Sequence, residues 1–180
     1  QAERIEGMAQ RGESERLPVE IKELRQVIAE AYLDLRETID GLRLTVDQPG
    51  GFSGALQAHV EDFTRRSGLP VDCSCVEAPA DLPPDVALHL LRITQEALAN
   101  VRRHAQASRV WVSLGRENGT LELTVADDGQ GFDASSPLAR GHVGLASMRE
   151  RVRSLDGQLT FATSPGQGTR VTARVPLGRA

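Results

Sequence analysis

Leu88–His104 reads LHLLRITQEALANVRRH, and a short way downstream Asp127–Phe132 reads DDGQGF. The first segment decides the fold. With Val86 ahead of it, Leu90, Ile93, Ala97 and Val101 recur every three or four residues, an apolar stripe with the period of a core-facing helix. Beside that stripe runs a second one at the same period, Arg92, Glu96, Asn100 and Arg103, whose groups are able to meet a metal ion or a phosphate. Each polar residue alone reads as a solvated side chain. The glycine pattern after Asp127 changes that balance, because a carboxylate at a strand end followed by two glycines one residue apart marks a backbone that something flat can approach closely.

Four segments in order, QEALANVRRH, DDGQGF, GHVGLASMRER and SPGQGTRV, resemble the N, G1, G2 and G3 boxes of the histidine-kinase ATP-binding domain. Their flavour is similar to the nitrate/nitrite-sensor class of two-component kinases. The resemblance covers roughly residues 17–176, and four ordered boxes are far more specific than one glycine pattern. It implies the Bergerat fold, a two-layer α/β sandwich with a mixed sheet, and an enzyme: a protein histidine kinase that binds ATP with Mg²⁺. It also implies roles. Asn100 is the Mg²⁺ ligand, and Glu96, one turn earlier, orients a metal-bound water or acts as base. Arg103 and His104 lie towards the phosphates. Asp127 accepts the adenine amino group, with Gly129 and Gly131 giving the ring access and Asp128 facing elsewhere. Gly141, Gly144 and Leu145 bound a short ATP lid, about Asp133 to Val143, where free N–H groups at a helix start suit phosphate. Gly168 and Thr169 form the last box near the base of the lid. A Walker-type lysine is absent, since the sole lysine is Lys22.

Outward from these boxes the periodicity is consistent with such a sandwich. Val110, Val112 and Leu114, and then Leu121, Leu123 and Val125, alternate with polar residues and predict two strands joined by a turn at Glu117-Asn118-Gly119. Two further strands are expected around residues 158–163 and 169–176, after a helix over Ser147–Leu155. Leu56, Val60 and Phe63 predict a short helix ending near Gly68, followed by a strand over Val71–Val76. Cys73 and Cys75 have neither zinc-site nor redox-pair spacing and read as strand residues in a reducing compartment.

Upstream, Ile21, Leu24, Ile28, Ala31, Leu35, Thr38 and Leu42 form a heptad seam in one long helix. Asp47-Gln48-Pro49-Gly50-Gly51 breaks it, so residues 1–48 are expected to be the end of a dimerisation and phosphotransfer domain and 49–180 the ATP-binding domain. A homodimer through helix 17–46 and a response-regulator partner follow from the resemblance. The acceptor histidine in this class precedes an acidic residue. The four histidines here precede Val60, Leu90, Ala105 and Val143, so the acceptor is expected upstream of Gln1. The alternative reading is a nucleotide-gated interaction module, or an ATPase of the same superfamily without histidine autophosphorylation.

The 180 residues are 39% hydrophobic with a net charge of −4. That supports an aliphatic core and gives no electrostatic footprint for nucleic acid or anionic lipid. No apolar run reaches the roughly 18 residues of a membrane span, so no membrane contact and a cytoplasmic location are expected of this segment.

Overall fold

The computed structural model describes residues 50–75, 78, 82–133 and 143–178. The heptad seam, the proposed domain boundary before Gly50 and most of the expected lid, including Gly141, lie outside the described residues. Helix α1 (Gly51–Ser67) leads to strand β1 (Val71–Cys75), helix α2 (Pro84–Asn100) and a π-helical turn (Val101–Ala105). Strands β2 (Val110–Glu117) and β3 (Thr120–Asp127), helix α3 (Val143–Arg153), and strands β4 (Gln158–Thr163) and β5 (Thr169–Pro176) follow.

Local chemistry accounts for several of these boundaries. Gly68 takes a left-handed conformation and returns its N–H to the Thr64 carbonyl at 2.9 Å, closing α1. Pro84 stands in the first turn of α2 with Asp85 beside it, where a missing N–H costs nothing and a negative charge faces the positive helix end. Asn118 and Gly119 both have positive φ (49° and 76°), the turn geometry that matches the twist of a two-residue hairpin between β2 and β3.

The sheet order is β1-β2-β3-β5-β4. Among the described strands only β1 and β2 run parallel, in register from Val71 opposite Val110 to Cys75 opposite Leu114. The other three pairings are antiparallel. Parallel neighbours need a crossover, and here that crossover is α2 itself. One sheet face carries Val110, Val112, Leu114, Leu121, Leu123 and Val175, all almost fully buried, against Leu56 of α1 and Leu90, Ile93 and Leu98 of α2. Met148 and Val152 of α3, each 1% exposed, complete the same core. The apolar stripe read from Val86, Leu90, Ile93, Ala97 and Val101 is buried throughout. The opposite sheet face leaves Trp111 40% exposed. Helices in one layer on a mixed sheet make the two-layer α/β sandwich.

Two elements depart from expectation. The α-helix stops at Asn100, and the chain continues through the π-helical turn to a left-handed Gln106 instead of running as one helix to His104. The cause is 25 residues away in sequence. Gln130 donates its backbone N–H to the Ala105 carbonyl at 2.7 Å and its side-chain amide to the His104 carbonyl at 2.6 Å. Acceptors at the helix end are thereby satisfied from outside the helix. The helix expected over Ser147–Leu155 begins earlier, at Val143, and ends at Arg153.

Candidate nucleotide site

A cavity of about 490 Å³ opens between α2, the loop after β3, the start of α3 and the sheet, within the usual range for small-molecule sites. From α2 and its π turn come Glu96, Asn100, Arg103 and His104; from the β3 end, Asp127, Gln130 and Gly131; from α3, Gly144 and Leu145; from β5, Thr169. Arg92, on the same sequence stripe, does not line it, and its guanidinium instead donates to Gln95 at 2.5 Å. Gly129 and Gly168 are likewise not lining residues.

Those two glycines serve close packing. A Cβ on Gly129 would fall 2.2 Å from the Ala105 carbonyl oxygen, and one on Gly168 would fall 2.0 Å from that of Asp127. The loop therefore lies directly on the π turn, and the β4–β5 hairpin directly on the end of β3. Gly131 adopts φ +57° against the Ser164 carbonyl. Gly144 is close to the cavity's chemistry, because its missing Cβ would sit 1.9 Å from Oε1 of Glu96. The Glu96 carboxylate thus rests against the first turn of α3.

Asp127 is 8% exposed, and its Oδ1 accepts the Gly129 N–H at 2.8 Å. Burial raises its pKa above the ordinary carboxyl value, although N–H groups of Gly129 and Thr169 pull the other way. A partly desolvated carboxylate at a cavity wall is a strong acceptor for a ligand N–H. Asp128 turns away to the surface, where its Oδ1 accepts the N–H groups of Ser108 and Arg109 at 2.8 and 2.9 Å. Those contacts, Arg109 first, lower its pKa and tie the start of β2 to the end of β3.

Apolar walls were not singled out in the sequence: Ala97, Val101, Val125, Met148, Phe161 and Val171 all line the cavity. In a linear reading they look like any other core residue. Gln130 and Phe132 were also missed as lining residues; the signal for them was their place inside the glycine pattern. Phe161 is further held by the Arg149 guanidinium, 5.0 Å from its ring centroid. The arrangement suits a flat ring between aliphatic walls, a donor on that ring meeting Asp127, and an anion near the N–H groups that open α3. Among the described residues no group of three His, Cys, Asp or Glu side chains is placed to hold a metal. A metal here would arrive with its ligand, and Asn100 with Glu96 one turn away is an oxygen-donor pair that fits Mg²⁺.

The chain has relatives among known proteins. The chain is 33% identical over 158 residues to the signal transduction histidine-protein kinase/phosphatase DegS of Brevibacillus brevis, covering 88% of this chain and 41% of that one. It is 32% identical over 151 residues to the nitrate/nitrite sensor protein NarX of Escherichia coli, covering 84% and 25% respectively. It therefore spans less than half the length of these relatives. Among solved structures, the histidine kinase domain of a blue-light activated histidine kinase from Erythrobacter litoralis superposes with a TM-score of 0.62 at 24% identity, covering 70% of this chain and 61% of that one. That is a likeness of fold. Residues 85–179, more than half the chain and the part that builds the cavity, match the family model of histidine kinase-, DNA gyrase B- and HSP90-like ATPases, and the chain belongs to that family.

Proposed function

We propose that this chain is the ATP-binding catalytic region of a sensor histidine kinase, passing the γ-phosphoryl of ATP to a histidine outside these 180 residues for relay to a response-regulator aspartate. The observation that carries the reading is the gathering of a buried Asp127, the polar face of α2 and the start of α3 around one apolar cavity. Asp127 accepts the adenine amino group, and Val101, Val125, Met148 and Val171 exclude water from the ring. Gly144 and Leu145 offer N–H groups to the phosphates, and Arg103 and His104 add donors beside them. Asn100 would hold Mg²⁺ when it binds with the nucleotide, and Glu96, one turn away, would orient a water beside it. When bound, the metal neutralises the phosphate oxygens.

Catalysis here is chiefly positioning. His59, His89 and His104, in α1, α2 and the π turn, are each followed by a residue that is not an acid. The test is incubation with γ-labelled Mg·ATP. The 180-residue chain is expected to bind nucleotide without gaining acid-labile phosphate, and a longer polypeptide of the same protein bearing a histidine followed by an acid is expected to gain it. Rapid phosphate release with no labelled protein in either case would instead favour an ATPase.

A further inference from the structure

The two cysteines, set aside in the sequence for lack of a recognised spacing, occupy an unusual place. Among the described strands β1 is an edge, paired on one side only. Period two puts Cys73 and Cys75 on one face of it, opposite the buried Val112 and Leu114, so both thiols point to the helix layer at its open margin. Their sulfurs are 3.2 Å apart, within one hydrogen bond. Both are free, Cys73 being exposed and Cys75 half-buried. Neither lines the nucleotide cavity.

What could bridge two sulfurs at this separation is a question of angle. With bonds of about 2.3 Å, the length of a zinc–thiolate bond, sulfurs this far apart subtend roughly 90° at a shared centre. A tetrahedral centre of the same bond length would need about 3.8 Å and two further ligands, and no group of three ligating side chains exists among the described residues. A two-coordinate linear centre would need about 4.6 Å at that bond length. A disulfide requires the sulfurs to close to about 2.05 Å and a two-electron oxidant, across residues i and i+2 of a strand that lie about 6.6 Å apart at Cα, near the upper limit of about 6.8 Å for such bonds. A heavy pyramidal centre, whose bonds leave near right angles, spans the gap with the strand unchanged.

We propose that Cys73 and Cys75 form a two-thiol capture site for trivalent arsenic, as arsenite or an organic arsenical. Counted from neutral groups, two S–H bonds and two As–O bonds break, two S–As bonds and two O–H bonds form, and two waters leave; arsenic stays trivalent, and its third position keeps the hydroxyl of arsenous acid or the carbon of an organic arsenical. The hydrogen bond from Cys75 holds the Cys73 thiol at about 7, while the same contact pushes Cys75 up. Near neutrality the pair therefore offers one thiolate to attack and one thiol to protonate the departing hydroxide. The negative charge of Glu61 lies near Cys73 and acts on it. It disfavours anionic reagents and leaves neutral arsenous acid unopposed.

The experiment treats the purified protein with a few-fold molar excess of sodium arsenite, followed by native mass spectrometry and N-ethylmaleimide counting of thiols. The expected result is one arsenic per chain, both thiols lost to alkylation together and both recovered on adding a small competing dithiol. Because the second bond forms intramolecularly, Cys73→Ser and Cys75→Ser should each weaken capture by about 100-fold or more. Serine keeps the size of the side chain, and prior alkylation of the unmodified protein, which should also abolish capture, gives an independent control on folding. A single variant binding within a few-fold of the unmodified chain, both thiols remaining alkylatable in arsenite, or tighter capture of Zn²⁺ than of arsenite would each overturn the assignment.

Discussion

Asp127 carries more of the proposed function than any other residue, and its environment sets two measurable consequences. A hydrogen bond to a charged acceptor contributes about 1.5–3 kcal/mol, so Asp127→Ala is expected to weaken ATP binding by roughly 10- to 150-fold in titration calorimetry with the fold retained. The pH dependence has a definite sign. Burial raises the folded-state pKa of Asp127, so between its unfolded and folded values the native chain holds more protons, and this group's contribution to stability falls as pH rises through that window. ATP binding should move oppositely. The ionised form accepts the adenine N–H, so affinity should climb as pH rises through the folded pKa, and that segment of the profile should vanish in Asp127→Asn. Asn100→Ala is a different case. It leaves the ring contacts alone and should remove the Mg²⁺-dependent part of triphosphate affinity while adenosine binding stays within a few-fold; equal losses for both ligands would make Asn100 a support of α2.

At the scale of elements, the π turn and the loop after β3 are held together mostly through main-chain groups. Gln130 joins them twice, and its own carbonyl accepts the Gly166 N–H at 2.6 Å, so one residue ties the π turn, the loop after β3 and the β4–β5 hairpin. Gln130→Ala removes only the side-chain bond and should cost about 0.5–1.5 kcal/mol in denaturant unfolding. Gly129→Ala drives a methyl into the Ala105 carbonyl and should cost considerably more, with the larger loss in nucleotide affinity. These contacts also explain what could be read from the chain and what could not. The hairpin at Asn118-Gly119 and the stripes of α2, β2 and β3 were legible because period and turn chemistry are local. The pairing of β3 with β5 skips β4, and nothing in the alternation of either strand names its neighbour. The π turn was illegible at Val101–Ala105 because its hydrogen-bond partner is Gln130. Gly129 reads as access for a ring, and the room it also gives the Ala105 carbonyl carries no mark in the sequence. Val125 and Val171 carried no mark because a residue facing a cavity and one facing the core are both apolar.

For the whole molecule, the heptad seam at Ile21, Leu24, Ile28 and Leu35 predicts self-association, since an apolar stripe of that length needs a partner. Sedimentation is expected to show weak, concentration-dependent dimers, and a strict monomer at high concentration would count against a dimerisation role for residues 17–46. The cavity raises a different point about the same chain. Its walls are drawn from Glu96 through Val171, from the crossover helix, a central strand, the third helix and both strands of the last hairpin. No fragment of the sequence contains a working portion of it, so a molecule able to hold nucleotide is one that has already folded. By mass action, ligand then draws the population towards the native state, by about 2.7 kcal/mol at a hundred times the dissociation constant. Retention on an immobilised-ATP column would thus count correctly folded molecules, and a variant library passed over it would be sorted first by foldedness and only then by the chemistry of Asp127.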